Sequence, residues 1–197
     1  EEGITNNSQK KQYPKYTLIN TDTSDIDTLI VDFGTTNYLY NEKLRRGKIN
    51  ITYTGKYRDS LSIITSTFNN YYVNNNLVQG ESIMTNQGRN NSGNLWFSVD
   101  VKNGSINTPN GTIDWNQSTM KEWREGENTY TDISDDIYKI TGSGSGNSVN
   151  GNSFTMTITK PLDVHMGCLP YCIIKSGEAK IYPEGYPERK IDYGNDL

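Results

Sequence analysis

Apolar and polar residues alternate along much of this chain. Ile49, Ile51 and Tyr53 are separated by Asn50 and Thr52, and Leu95, Phe97, Val99 and Val101 by Trp96, Ser98 and Asp100. A period of two sends one set of side chains to each face of a strand, so both runs are expected to be half-buried β-strands. Residues 29–33, Leu61 with Ile63 and Ile64, residues 71–73, Phe154 with Met156 and Ile158, and Ala179 with Ile181 read as further strands. No window holds a sustained 3.6-residue apolar stripe. At most a short helical turn is expected near residues 120–124 or 134–138.

Between these runs stand turn signals. Asn103-Gly104, Asn110-Gly111 and Asn150-Gly151 match two-residue type I′ hairpins, in which both central residues take positive φ. Gly88, Gly93 and the run Gly142-Ser143-Gly144-Ser145-Gly146 read as more turns. Consecutive hairpins make neighbours antiparallel. The expected fold is therefore all-β, an antiparallel meander forming an extended sheet, a half-open roll or a small sandwich. Residues 1–25 lack periodicity and read as a flexible polar tether, with residues 26–197 as a single β domain.

Composition narrows the picture. Apolar residues make up 32% of the 197, which predicts a thin core and suits an extended sheet. The 14 Tyr residues favour half-exposed pleated surfaces. Net charge is −4, and the densest basic run, Lys43, Arg45, Arg46 and Lys48, reads as a solvated strand start, so a nucleic-acid partner is not expected. No stretch approaches the ~20 apolar residues of a membrane-spanning helix. The chain opens at Glu1 rather than Met, which reads as a processed, extracytoplasmic protein.

Candidate chemistry is sparse. His165 is the single histidine, beside a Pro161-Leu162-Asp163 turn, and no nucleophile–base spacing accompanies it. No enzyme activity, cofactor or metal is expected. Asp132, Asp135 and Asp136 form an acidic cluster without the alternating acidic spacing of a Ca²⁺ loop. Cys168 and Cys172 are the only cysteines; they either join across Pro170 in a small loop, pair elsewhere or stay as thiols. Trp96, Trp115 and Trp123 are the candidate binding residues, since aromatic faces on a sheet can stack on sugar rings, although large aromatics more often fill a thin core. Trp96 is the best placed for exposure, being out of phase with Leu95 and Phe97. Asn-x-Ser/Thr triplets at Asn50, Asn103, Asn110 and Asn116 matter only in a eukaryotic secreted protein.

Several segments, taken in order, carry a resemblance. They are Gly47-Lys-Ile-Asn-Ile-Thr-Tyr-Thr-Gly55, Phe68-Asn-Asn-Tyr-Tyr-Val-Asn-Asn-Asn-Leu-Val-Gln-Gly80, Gly93-Asn-Leu-Trp-Phe97 and Gly111-Thr-Ile-Asp-Trp115. Then come Trp123-Arg-Glu-Gly126, Asp135-Asp-Ile-Tyr-Lys-Ile-Thr-Gly142, Ile158-Thr-Lys-Pro-Leu162, Ser176-Gly177 and Arg189-Lys-Ile-Asp-Tyr-Gly194. Across residues 45–197 the chain resembles a family of uncharacterised secreted and outer-membrane lipoproteins of Bacteroidota. The resemblance implies a lipid anchor on a Cys upstream of Glu1 and a place in the outer membrane, on the cell surface or the periplasmic face. It also implies continuation beyond Leu197 to a further Cys that would pair with Cys172. Asp27-Thr28-Leu29 and Asp59-Ser60-Leu61 resemble the O-glycosylation sequon of that phylum, which makes Thr28 and Ser60 candidate glycan sites.

The function these readings lead to is a non-enzymatic accessory or interaction subunit of an outer-membrane protein complex. A surface carbohydrate-binding module and a carrier of a lipid or other hydrophobe are the alternatives. An exposed strand edge or apolar patch is expected of the first, an exposed Trp96 with neighbouring Tyr of the second, and a greasy interior of the third.

Overall fold

A computed structural model describes residues 14–19, 27–169 and 173–195. These residues form twelve strands in one open antiparallel sheet, not closed into a barrel, and no α-helix. In chain order the strands are β1 (Lys15–Ile19), β2 (Asp27–Asp32), β3 (Tyr38–Tyr40), β4 (Lys43–Tyr53), β5 (Ile63–Val73) and β6 (Asn76–Arg89). They continue as β7 (Leu95–Thr108), β8 (Gly111–Glu125), β9 (Ile137–Asn147), β10 (Ser153–His165), β11 (Ile174–Pro183) and β12 (Arg189–Asp192). From β4 onward each strand pairs with its successor, and β2 and β3 lie end to end along one side of β4. The all-β meander expected from the sequence is what forms, as a single sheet with no second layer to make a sandwich among the described residues.

The period of two places the side chains as read. On one face Ile64, Met84, Val99 and Thr119 stand in register across four strands. On the other, Thr85, Ser98, Met120 and Thr141 do the same. The core is thin; its main cluster, Leu95, Phe97, Trp123, Tyr138 and Val164, lies at one end of the apolar face, and Phe33 and Tyr71 are buried against each other apart from it. Phe97 is 1% exposed and Trp123 4%. Each such side chain contributes about 1.5–3 kcal/mol through burial.

Several local expectations differ from the structure. The Gly142–Gly146 run is not a turn but part of the second half of β9. Its glycines alternate on the apolar face, where β8 runs too close for a side chain. A Cβ on Gly142 would stand 2.4 Å from the Ser118 carbonyl oxygen, and one on Gly146 would stand 1.9 Å from that of Asp114. Asn103-Gly104 is likewise no hairpin but a bulge inside β7, where the register slips between Val101 and Gly104. The bare Cα of Gly104 makes room for the Trp115 ring, which a Cβ would meet at 2.8 Å.

The other two Asn-Gly pairs do lie at turns, yet only Gly111 (φ 131°) and Gly151 (φ 80°) have positive φ. Pro109 precedes Asn110 and fixes the geometry suited to a type I turn. The two-residue turns with both φ positive are Asn41-Glu42 (47°, 61°) and Asn74-Asn75 (49°, 66°). Residues 120–124 belong to β8, whereas the second expected helical turn exists as a 3-10 turn at Ile133–Asp135. Within the segment read as a tether, Lys15–Ile19 forms a strand antiparallel to β2.

Candidate functional site

The two ends of the sheet differ. At one end the connections are short, with two residues each at 41–42, 74–75 and 109–110 and five each at 148–152 and 184–188. At the other end lie the β4–β5 loop (54–62), the β6–β7 turn (90–94), the β8–β9 loop (126–136) and the β10–β11 connection, of which 166–169 and 173 are described. Long loops on a rigid sheet are where binding residues concentrate.

These loops are pinned by buried polar groups. Asn86, 1% exposed, stands at a core-facing position of β6. Its backbone N–H donates to the Ser62 carbonyl (2.9 Å) and its carbonyl accepts from the Leu61 N–H (2.9 Å). Its side-chain amide donates to the Tyr57 carbonyl (3.1 Å), while its side-chain oxygen accepts from Gly88 N–H (2.7 Å). Tyr57 thereby lies over the core, stacked on Phe97 with ring centroids 4.7 Å apart and edge-on to Trp123 at 5.9 Å.

The β8–β9 loop is fixed through Asp136. This buried carboxylate accepts from Trp123 Nε1 (3.0 Å) and from the Tyr138 hydroxyl (2.8 Å). Met166 N–H donates to the Asp136 carbonyl (2.9 Å), which ties the β10–β11 connection to the same point. Arg58 donates to the Glu127 carbonyl (3.2 Å) and covers the Tyr130 ring at 4.3 Å. Arg89 grips the Glu127 carboxylate with two hydrogen bonds of 2.9 and 2.6 Å. Glu122 accepts from Asn90 and Asn94, both 2.8 Å, and so holds the β6–β7 turn.

Between these loops opens a cleft of about 930 Å³. Its floor is aromatic, from Tyr57, Trp123 and Tyr138, and its rim is mixed, with Lys56, Arg58, Asp59, Arg89, Glu127, Asn128, Tyr130 and Ile133. Lys121 lies beneath the floor. Its ammonium sits 3.7 Å from the Tyr138 ring centroid and donates to the Tyr57 hydroxyl at 3.2 Å. Burial brings its pKa down to about 8, against a smaller opposing pull from Asp136. Burial likewise pushes the Tyr57 phenol up to about 12 and raises that of Tyr138, with Tyr57 and Asp136 adding to the latter. The Glu127 carboxyl is held low by its hydrogen bonds from Arg89.

Large apolar side chains are exposed on the same loops. Tyr130 is 59% exposed, Ile133 56%, Leu169 49% and Leu61 72%. Leu61 takes φ 66°, a left-handed conformation that costs a branched side chain about 1–2 kcal/mol. The hydrogen bonds to Asn86 hold it there, so the loop presents this side chain at a standing cost.

The residues singled out in the sequence scatter. Trp123 is core, Trp115 lies half-buried over Gly104, and Trp96 is half-buried on the polar face opposite Glu122. The three do not share a platform. Thr28 is half-buried in β2 between β1 and β4, whereas Ser60 is exposed beside Leu61. Cys168 sits half-buried in the 3-10 turn Met166–Cys168, and Cys172 lies outside the described residues. His165 Nε2 stands 3.4 Å from Asp163 Oδ2 without hydrogen-bond geometry.

The acidic cluster divides among separate partners. Asp132 accepts from Ser134, Asp135 from Thr129, and Asp136 from Trp123 and Tyr138. Among the described residues no three His, Cys, Asp or Glu converge as a metal-binding group. Asn86, Lys121 and Tyr57, which organise the cleft, were not singled out by motif. Asn86 and Lys121 do leave one sign, polar residues in phase with Met84 and Trp123 on the apolar face. No family model, no curated protein and no solved structure matches this chain.

Proposed function

We propose that this chain is a non-enzymatic interaction subunit at the outer membrane, and that it engages a partner protein through the loop end of its sheet. One observation carries this reading. Leu61, Tyr130, Ile133 and Leu169 are all exposed on the loops that surround this cleft, while those loops are anchored by buried Asn86 and Asp136. Exposed apolar side chains on a rigid, mixed-polarity frame have the composition of a protein interface, an apolar centre with a polar rim. Arg58, Arg89, Asp59 and Glu127 supply that rim. The placement at the outer membrane, on a lipid anchor, rests on the lipoprotein resemblance.

The test is photo-cross-linking in native membranes, with a photo-reactive amino acid at Ile133. An adduct with one membrane protein, lost when Leu61→Asp is added, is the expected result. Adducts with lipid alone, or none, would overturn the reading.

A further inference from the structure

Beyond the loop-end core, the apolar face of the sheet is open. Three ranks of side chains cross it in register. The central rank runs from Leu18 on β1 through Leu29, Ile51 and Val101 to Met156 and Ile181 on β11. Toward the loop end, Tyr53, Ile64, Met84 and Val99 form the next rank. On the other side stand Tyr16, Val31, Ile49 and Phe68, and Trp115 and Phe154 continue that rank on β8 and β10. Not one of these side chains is buried: Tyr16 and Leu18 are exposed and the rest are half-buried. A sheet with one apolar face packs that face against another layer. Among the described residues the chain supplies no such layer, since all its strands lie in one sheet and it has no α-helix.

We infer that a second copy of this chain covers the face, so that two sheets pack against each other as the layers of a sandwich. Area is the first argument. With strands about 4.8 Å apart and same-face neighbours about 6.8 Å apart along a strand, three ranks across the sheet offer about 900 Å². A stable interface needs about 800 Å² per partner. Charge is the second. From β1 to β11 the central rank holds no charged side chain, its polar members being Ser66, Ser82 and Gln117, so two copies meet without like charges opposed. Shape is the third. At the loop end the β4–β5 loop rises over the face, where Tyr57 covers Phe97. A two-fold axis running across the strands sets that wall of each copy beyond the hairpin end of the other, in a closed, isologous pair. A lipid acyl chain fits less well, because the face is broad and belongs to an open sheet, not to a closed channel. A strand added at an edge would leave the face bare.

The experiment is analytical ultracentrifugation of the full chain at micromolar concentrations. The native chain sediments with twice the mass of one chain. Ser82→Arg and Gln117→Arg place a cation on either side of Val101, at positions that are already polar, so neither change removes an apolar side chain from the core. Each variant weakens self-association at least tenfold and still unfolds cooperatively in urea. Ile133→Asp, at the loop end, dimerises as the native chain does. A photo-reactive amino acid in place of Val101 cross-links chain to chain, which reads the face without relying on the Arg variants. A monomeric native chain overturns the proposal, whether it stays free or floats with vesicles of phosphatidylethanolamine and phosphatidylglycerol. So does a dimer that both Arg variants leave intact, a dimer that Ile133→Asp abolishes, or the absence of a chain-to-chain adduct at Val101.

Discussion

Replacing Lys121 with Met should abolish a rise in stability at alkaline pH. The ammonium of Lys121 is enclosed by Tyr57 and Tyr138 above the core, with Asp136 nearby, and burial lowers its pKa from 10.5 to about 8. Between these values the unfolded chain binds one more proton at this side chain than the native chain does. Stability therefore increases with pH across that window, because the native state no longer has to hold a desolvated cation. From pH 8 to 10 the full shift corresponds to about 2–3 kcal/mol, and residual solvent contact reduces this to about 2 kcal/mol. Above pH 10 the phenols of Tyr57 and Tyr138, both raised in the fold, begin to act in the opposite direction. Urea denaturation at pH 7.5, 8.5 and 9.5, followed through the fluorescence of buried Trp123, measures the slope. The native chain should gain stability across the three points and Lys121→Met should stay flat. A native chain with no gain, or a Met variant with the same gain, would refute the placement of this lysine.

Two other perturbations probe the sheet. Glu178 is held at a pKa of about 2, first by Lys190, then by Thr159 and Lys160. Its contribution is present above the ordinary carboxylate range and is lost as pH falls toward 2, so Glu178→Gln should flatten the acid limb of a pH–stability curve. At Gly142 the backbone has φ 135° and a Cβ would lie 2.4 Å from the Ser118 carbonyl oxygen. Gly142→Ala should cost about 3 kcal/mol in urea denaturation, and a cost near zero would show that β9 does not run so close to β8.

The sheet was legible because period-two alternation is a direct image of a pleat, as Leu95, Phe97 and Val99 show. The Gly-Ser run was not, because the same residues suit a turn or a strand face with no room for side chains. Only the position of the Ser118 and Asp114 carbonyls on the neighbouring strand decides between them. Asn-Gly pairs misled at Asn103 for a related reason, since positive φ serves a bulge as well as a hairpin. Asn41-Glu42 and Asn74-Asn75 lacked the glycine that makes such turns conspicuous.

The cleft was the least readable part. It is built by the aperiodic loops 54–62 and 126–136, whose shape depends on long-range partners such as Asn86 with Tyr57 and Arg89 with Glu127. The tryptophans drew attention by residue type, but a ring's exposure is set by what packs on it. Trp123 is covered by Tyr57 and Tyr138.

In the proposed function the loop end is a recognition surface. Leu61→Gly tests it most directly, because it relieves the left-handed strain and removes the exposed side chain in one change. The measurement is the affinity of this variant for the membrane protein captured at Ile133, taken beside its urea midpoint. The expected result is a gain of about 1 kcal/mol in stability together with an affinity at least tenfold weaker. An affinity equal to that of the native chain would contradict it.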